Sequence, residues 1–312
     1  MIPKIVQVGV GRFGANHLKT LMELDKKNIL KLIGVIDLDQ KIRNKIRSEY
    51  HISVSGNLDD FMEDADGFDI VTPPHTHFQI AKYLIKNKKN IFVEKPLTTS
   101  SKESEIITTL ATNKKVILQV GHIFRFDPTI IYLKKLLKQK RNFPFLIRAE
   151  FLQNRIQSHD TSAIFVFMHG IDILDFLINK NPKKIFAIGN LLQTKDLDLN
   201  SSVILEYDKI NAILNVGWIP SGTQRRIEIF STKRKLVCDL LDNRIKIYEN
   251  DQLMKTVNIK TGEPLLKLEL LEFIRCIKNK KKPIVDETIG SRIVKICETA
   301  ILSINEKKTI NF

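Results

Sequence analysis

Three glycines within six residues, Gly9, Gly11 and Gly14, stand directly after the apolar run KIVQV (4–8) and open a helical pattern. No other feature constrains the fold more. Between a strand and a helix, such a Gly-x-Gly-x-x-Gly turn serves a tight reversal, a close backbone approach to a pyrophosphate, and tight helix–strand packing, one glycine for each. The helix N-terminus that follows offers unpaired N–H groups and a partial positive charge to phosphates. Asp37 closes the second apolar run, 23 residues after Gly14. A carboxylate there accepts hydrogen bonds from adenosine ribose hydroxyls and repels a 2′-phosphate. The pattern predicts an NAD site, favoured over NADP, formed by Gly9, Gly11, Arg12, Phe13, Gly14 and Asp37.

Up to residue 122 the chain alternates strand and helix. Strands are expected at Lys4–Val8, Leu32–Ile36, Asp69–Thr72, Asn90–Glu94 and Val116–Val120, with helices such as Ala15–Leu24 and Phe78–Ile85 between them. Ser100 and Glu103 have capping-box spacing and start another helix. Repeated βα units give a Rossmann-type, doubly wound parallel sheet with helices on both faces, here over 1–122. Ligands bind beyond the carboxyl ends of such strands.

From about Phe126 the rhythm changes. A helix follows Pro128, a strand spans 145–153, and one continuous helix is expected over Ala163–Leu177. Alternating strands with short turns run from about 184 to 260, including 201–207, 211–218, 225–230 and 244–249, with Trp218 as sheet core. Helices Leu265–Lys278 and Thr288–Ile304 close the chain. The second domain, 123–312, is thus an α/β unit on an open, largely antiparallel sheet.

Composition excludes several classes. With 312 residues, 43% hydrophobic and 27% charged, the chain reads as about two soluble globular domains. No apolar run approaches the ~20 residues of a membrane span, and the first residues do not read as a signal peptide. Cys238, Cys276 and Cys297 are odd in number and lack metal-type spacing, which suits a reducing cytoplasm and no metal site. The net charge of +15 is spread over lysines at helix ends and in loops, so solvated faces, not nucleic acid, are expected.

The run NIFVEKPLTTS (90–100) poses a separate question, since Glu94, Lys95 and Pro96 end a buried strand with two charges and an imino acid. A strand tip in this position borders the cofactor crevice. A partly desolvated lysine beside a nicotinamide can take or give a hydroxyl proton. The opposing reading is a surface salt bridge. Together, Gly9–Gly14, VTPPHTH (71–77), VEKPL (93–97), VGHIFRFDP (120–128) and HGID (169–172) resemble the Gfo/Idh/MocA oxidoreductase family. The resemblance runs from the first strand to the last helix. It implies that Lys95 sits by the nicotinamide and the reacting sugar carbon, with Glu94 beside it, and that Thr72, Pro73, Pro74 and His77 border the cofactor. VGH-x-x-RF-x-P is similar to members acting on nucleotide sugars such as UDP-N-acetylglucosamine 3-dehydrogenases, which typically carry Asn at the position of Asp127.

The resemblance also assigns His169 to the reacting hydroxyl; without it, a lone histidine in an apolar helix is more often core. On a continuous helix Phe165, His169 and Asp172 share one face, so Asp172 is placed to orient His169. The family usually has aspartate where Phe165 stands. Asp160 and Asp172 are the nearby carboxylates. Arg125, and Arg225 or Arg226, are candidates for an anionic substrate group. The expected activity is hydride transfer between NAD and a sugar carbinol carbon, with Lys95 and His169 as catalysts and a nucleotide sugar as substrate. A free cyclitol or monosaccharide is the alternative, as is an NAD-holding sensor without turnover because of Phe165. The family's face-to-face pairing of second-domain sheets implies a homodimer or homotetramer.

Overall fold

The computed structural model describes residues 2–154, 162–191 and 198–312; Asp160 lies outside them. The chain divides into two compact units, residues 1–123 with 263–294, and residues 124–262 with 295–312.

The first unit carries six parallel strands: β1 (Lys4–Val8), β2 (Lys31–Ile36), β3 (Val54–Ser55), β4 (Gly67–Ile70), β5 (Asn90–Glu94) and β6 (Leu118–Gly121). Their order is β3-β2-β1-β4-β5-β6, the doubly wound arrangement whose order reverses at β1 and opens a crevice there. Helices α1 (Gly14–Lys26), α2 (Gln40–Tyr50), α3 (Pro74–Lys86) and α4 (Ser101–Lys114) connect them. Helix α1 buries His17, Leu18, Leu21 and Leu24, a stripe at helical spacing. Ser100 caps α4 by accepting the Glu103 N–H at 3.3 Å, while the Glu103 carboxylate takes the Thr99 hydroxyl. Half of the capping box forms.

The division differs from a single cut after residue 122 in one respect. Helix α8 (Leu265–Asn279, numbered after α5–α7 below) packs Leu270, Phe273 and Ile274 into the same core as Ile5, Leu21 and Phe92. The Phe92 and Phe273 rings meet edge to face at 6.0 Å. An amphipathic stripe shows in the sequence, but not which sheet it will cover.

Among the described residues the second unit holds nine strands. They are β7 (Leu146–Gln153), β8 (Lys184–Leu191), β9 (Asp198–Glu206), β10 (Asn211–Trp218), β11 (Gln224–Phe230), β12 (Arg234–Asp239), β13 (Arg244–Glu249), β14 (Gln252–Asn258) and β15 (Ile310–Asn311). The sheet order is β14-β13-β12-β11-β7-β10-β9-β8-β15, with β7–β10 parallel and its other pairs antiparallel. Helices α5 (Pro128–Leu137), α6 (Ala163–Val166) and α7 (His169–Ile178) pack on one face, where Ala149, Phe151, Leu214 and Ile227 are buried. Asp127 caps α5, accepting the N–H groups of Thr129 and Ile130 at 2.7 and 3.2 Å. The last helix, α9 (Glu287–Glu306), is shared between the units.

The continuous helix expected over Ala163–Leu177 is broken into α6 and α7 at Phe167 and Met168. No proline marks the break; packing imposes it. Phe167 meets the Trp218 ring at 5.3 Å and Met168 is fully buried. At Gly170 an added Cβ would lie 2.6 Å from Leu214 Cδ1, so the start of α7 rests directly on the sheet. Phe165 and His169 therefore do not share a helical face.

Candidate active site

The glycine loop is built as its spacing demands. Gly9 has φ +91°, and a Cβ on Gly14 would lie 2.5 Å from the Gly9 carbonyl oxygen. Gly11 faces open space, which leaves its backbone free for a close approach. Gln7, buried in β1, braces the loop from beneath by donating to the Gly9 and Gly14 carbonyls, both at 2.8 Å. Nothing local in the sequence marks that role. Helix α1 has no side-chain cap and no acidic residue in its first turn, so its N-terminal dipole is not neutralised from within.

A cavity of about 800 Å³ opens at the crevice, lined by Gly9, Gly11, Arg12, Phe13, Asp37, Thr72 and Pro73 of the expected residues. Leu38, Ile42, Leu58 and Ile80 supply apolar wall at one end, a surface suited to a flat adenine. Asp37 is pre-oriented, its Oδ2 accepting the Val10 N–H at 2.8 Å and its Oδ1 the Asp39 N–H at 2.9 Å. An open backbone cradle, an uncapped helix start, a fixed carboxylate and an apolar slot all fit NAD.

Other expected cofactor residues lie apart from this cavity wall. Pro74 is the first residue of α3, and the next two residues, His75 and Thr76, line the cavity. His77, a further ~100° around the helix, turns inward and is fully buried. Its Nδ1 lies 2.7 Å from the Pro96 carbonyl and its Nε2 2.9 Å from that of Thr72. Burial lowers the His77 pKa against the pull of those carbonyls. His77 thus ties the two loops together from behind. Gly14 lies under the loop, outside the cavity wall.

Glu94 is also turned inward. Its carboxylate sits over Gly121, where a Cβ would come within 2.8 Å of Oε1. Oε1 lies 3.2 Å from His17 Nε2, and Oε2 accepts the Lys95 N–H at 3.0 Å. His17 Nδ1 is 3.0 Å from Asp69 Oδ2. With both carboxylates ionised, the imidazole nitrogens that face them must both donate, which makes the ring an imidazolium. Burial alone lowers the His17 pKa, but the charges of and hydrogen bonds to Asp69 and Glu94 overcome this and raise it to about 10. Burial pushes the Asp69 carboxyl up, opposed by His17. The three groups titrate as one unit. Between this assembly and His77, the Lys95 backbone is held on both sides; the Lys95–Pro96 peptide is cis, and Lys95 is half-buried. Sequence reasoning missed His17 and Asp69, which lie 77 and 25 residues before Glu94.

In the second unit, His169 begins α7 half-buried, its ring edge-on to Phe124 at 5.0 Å. Arg125 is not available to a substrate. Its Nε donates to Asp172 Oδ1 at 2.6 Å and its Nη2 to Asp175 Oδ2 at 2.7 Å, with all three residues buried. Burial lowers the Arg125 pKa, and the two carboxylates more than restore it. Asp172, expected to orient His169, spends one oxygen on this fork. Phe165 is half-buried on α6. Among the described residues no group of three or more His, Cys, Asp or Glu could hold a metal, and no helix is long and apolar enough to cross a membrane.

Comparison with known proteins speaks to the family and the fold. Residues 4–122 match the Gfo/Idh/MocA oxidoreductase family, NAD-binding Rossmann fold. The chain is 25% identical over 252 residues to UDP-N-acetylglucosamine 3-dehydrogenase of Acidithiobacillus ferrooxidans, covering 78% of each chain. It is 26% identical over 321 residues to scyllo-inositol 2-dehydrogenase (NAD(+)) of Bacillus subtilis, covering 92% of this chain and 90% of that one. The solved structure of the Acidithiobacillus ferrooxidans enzyme superposes with a TM-score of 0.87 at 22% identity, covering 98% of this chain and 99% of that one. An Agrobacterium radiobacter oxidoreductase in complex with NAD+ gives 0.87 at 16%, covering 100% and 98%. At these identities the structures speak for the fold. The chain carries a Gfo/Idh/MocA family domain and is an NAD-binding oxidoreductase.

His17 couples stability to pH. Below about pH 6.5 the ring is protonated folded or unfolded, and its contribution to stability is complete. As pH climbs from there through about 10, the folded state gives up that proton and stability falls. Histidine NMR between pH 6 and 9 should show one imidazolium that does not titrate. A His17 resonance titrating near 6.5 would contradict the assignment.

Proposed function

We propose that the protein is an NAD-dependent sugar dehydrogenase that moves a hydride between C4 of the nicotinamide and a carbinol carbon, with a UDP-N-acetylglucosamine-like nucleotide sugar, reacting at its 3-position, as substrate. The observation that carries this reading is the Glu94–Pro96 turn, which presents a half-buried lysine from a backbone held by two buried histidines. Such a frame is poorly explained by a surface salt bridge. NAD supplies the hydride acceptor. In the oxidative direction the carbinol hydrogen would leave with the C–H bonding pair, and the hydroxyl proton would pass to the protein. Lys95 and His169 are assigned that proton. The names of the relatives support a sugar or cyclitol, and the nucleotide sugar is preferred for the RF-x-P stretch (125–128). A free cyclitol is the alternative.

The chemistry is also assigned to the cytoplasm and to a homodimer or homotetramer paired through the open face of the nine-stranded sheet. That face exposes Ile188 and Ile204, with Ile213, Arg148, Glu150, Arg226 and Glu228 around a shallow hollow. Charges of both signs on an apolar ground suit self-association by a two-fold axis. Light scattering should give at least a dimeric mass, and a monomer at working concentration would contradict the pairing.

Replacing Lys95 tests the activity. Lys95→Ala should lower kcat by about 10²–10⁴-fold, the usual contribution of a positioned acid–base group, with NADH binding retained. Unchanged turnover would refute the mechanism. Wild-type protein that binds NADH but turns over no sugar would favour the sensor reading built on Phe165.

A further inference from the structure

Strand β11 presents alternate residues to the two faces of its sheet. Arg226 and Glu228 lie on the open face and pair at 2.7 Å. Arg225, Ile227 and Ile229 lie on the helix-covered face, where both isoleucines are buried. Arg225 is opposite Phe151 in the β7–β11 register, so it continues the row on which α7 rests. Its guanidinium carbon stands 5.5 Å from the centre of the Phe124 ring, the ring that meets His169 at 5.0 Å. Phe124 also meets Phe151 edge-on at 6.2 Å. One aromatic ring therefore separates a guanidinium from the proposed catalytic histidine, within the same unit.

Among the described residues, Arg225 has no ion pair or hydrogen bond to its guanidinium; the exposed side chain lies over the face of Phe124. Arg125, the nearby alternative, is fully engaged by Asp172 and Asp175. Partial burial lowers the Arg225 pKa, and no carboxylate opposes the shift. The side chain is exposed, so an anion can reach it from solvent, and a planar fork of donors matches two oxygens of one anion.

We propose that Arg225 is the anchor for an anionic group of the substrate, and that it restricts the substrate to sugars bearing a pyrophosphate or a carboxylate. This rests on the reading that His169 touches the sugar. Stacking on Phe124 leaves the guanidinium edge free to donate, and Phe124 fixes its distance from His169. A neutral cyclitol offers Arg225 no partner.

The test is equilibrium binding, which needs no turnover. Calorimetry on the full chain compares wild type, Arg225→Gln and Arg225→Lys with UDP, UDP-N-acetylglucosamine, glucuronate and myo-inositol. NADH titration checks that the first unit is intact. Arg225→Gln should weaken the anionic ligands by about 10–100-fold, Arg225→Lys should recover part of the loss, and myo-inositol affinity should not move. Dependence for UDP assigns the pyrophosphate; dependence for glucuronate without UDP assigns a carboxylate. Equal anion affinity in wild type and Arg225→Gln, or no anion binding by wild type, would overturn the anchor. An Arg225-dependent affinity without turnover keeps the anchor and sinks the dehydrogenase. Lys95-dependent turnover with Arg225-independent affinity does the reverse.

Discussion

The first unit depends on one buried cation. His17 stands between Asp69 and Glu94, its two nitrogens 3.0 and 3.2 Å from carboxylate oxygens. Removing one partner of a buried pair typically costs about 3–5 kcal/mol, because the remaining charge is stranded away from water. The arrangement joins α1, β4 and the tip of β5. Phe13, on the glycine loop, and Phe92, in the core, pack against the His17 ring at 5.4 and 5.7 Å. Displacing the glycine loop therefore also disturbs the strand tip that carries Lys95. The crevice and the proposed catalytic lysine share one foundation.

The second unit uses charge differently. Arg125 is consumed by two carboxylates and acts as a rivet between α7 and the segment before α5. Arg225, exposed and held against a ring and not an acid, keeps bonding capacity one ring away from His169. Two arginines that look alike in the sequence thus take opposite roles, and their neighbours decide which.

Much of this was legible in the sequence, and the limits follow from distance along the chain. The glycine spacing, Asp37 and the strand at Asn90–Glu94 are local signals, and each lies where expected. The partners of His17 are 52 and 77 residues away, and no local pattern pairs them. His77 was expected beside the cofactor, but one more step around α3 turned it into the core. The break between α6 and α7 comes from Phe167 on Trp218 and from the close approach at Gly170; tertiary packing there overrides helical periodicity. Phe165, read as the residue in place of an aspartate, consequently lies on a separate short helix.

A glycine loop, an uncapped helix start and a pre-oriented Asp37 select NAD for this oxidoreductase. A titration with NADH and with NADPH, followed by nicotinamide fluorescence, puts that selection to the test. NADH should bind, and bind about tenfold or more tightly than NADPH, because the Asp37 carboxylate opposes the 2′-phosphate. Equal affinity for the two cofactors, or binding of neither, would contradict it.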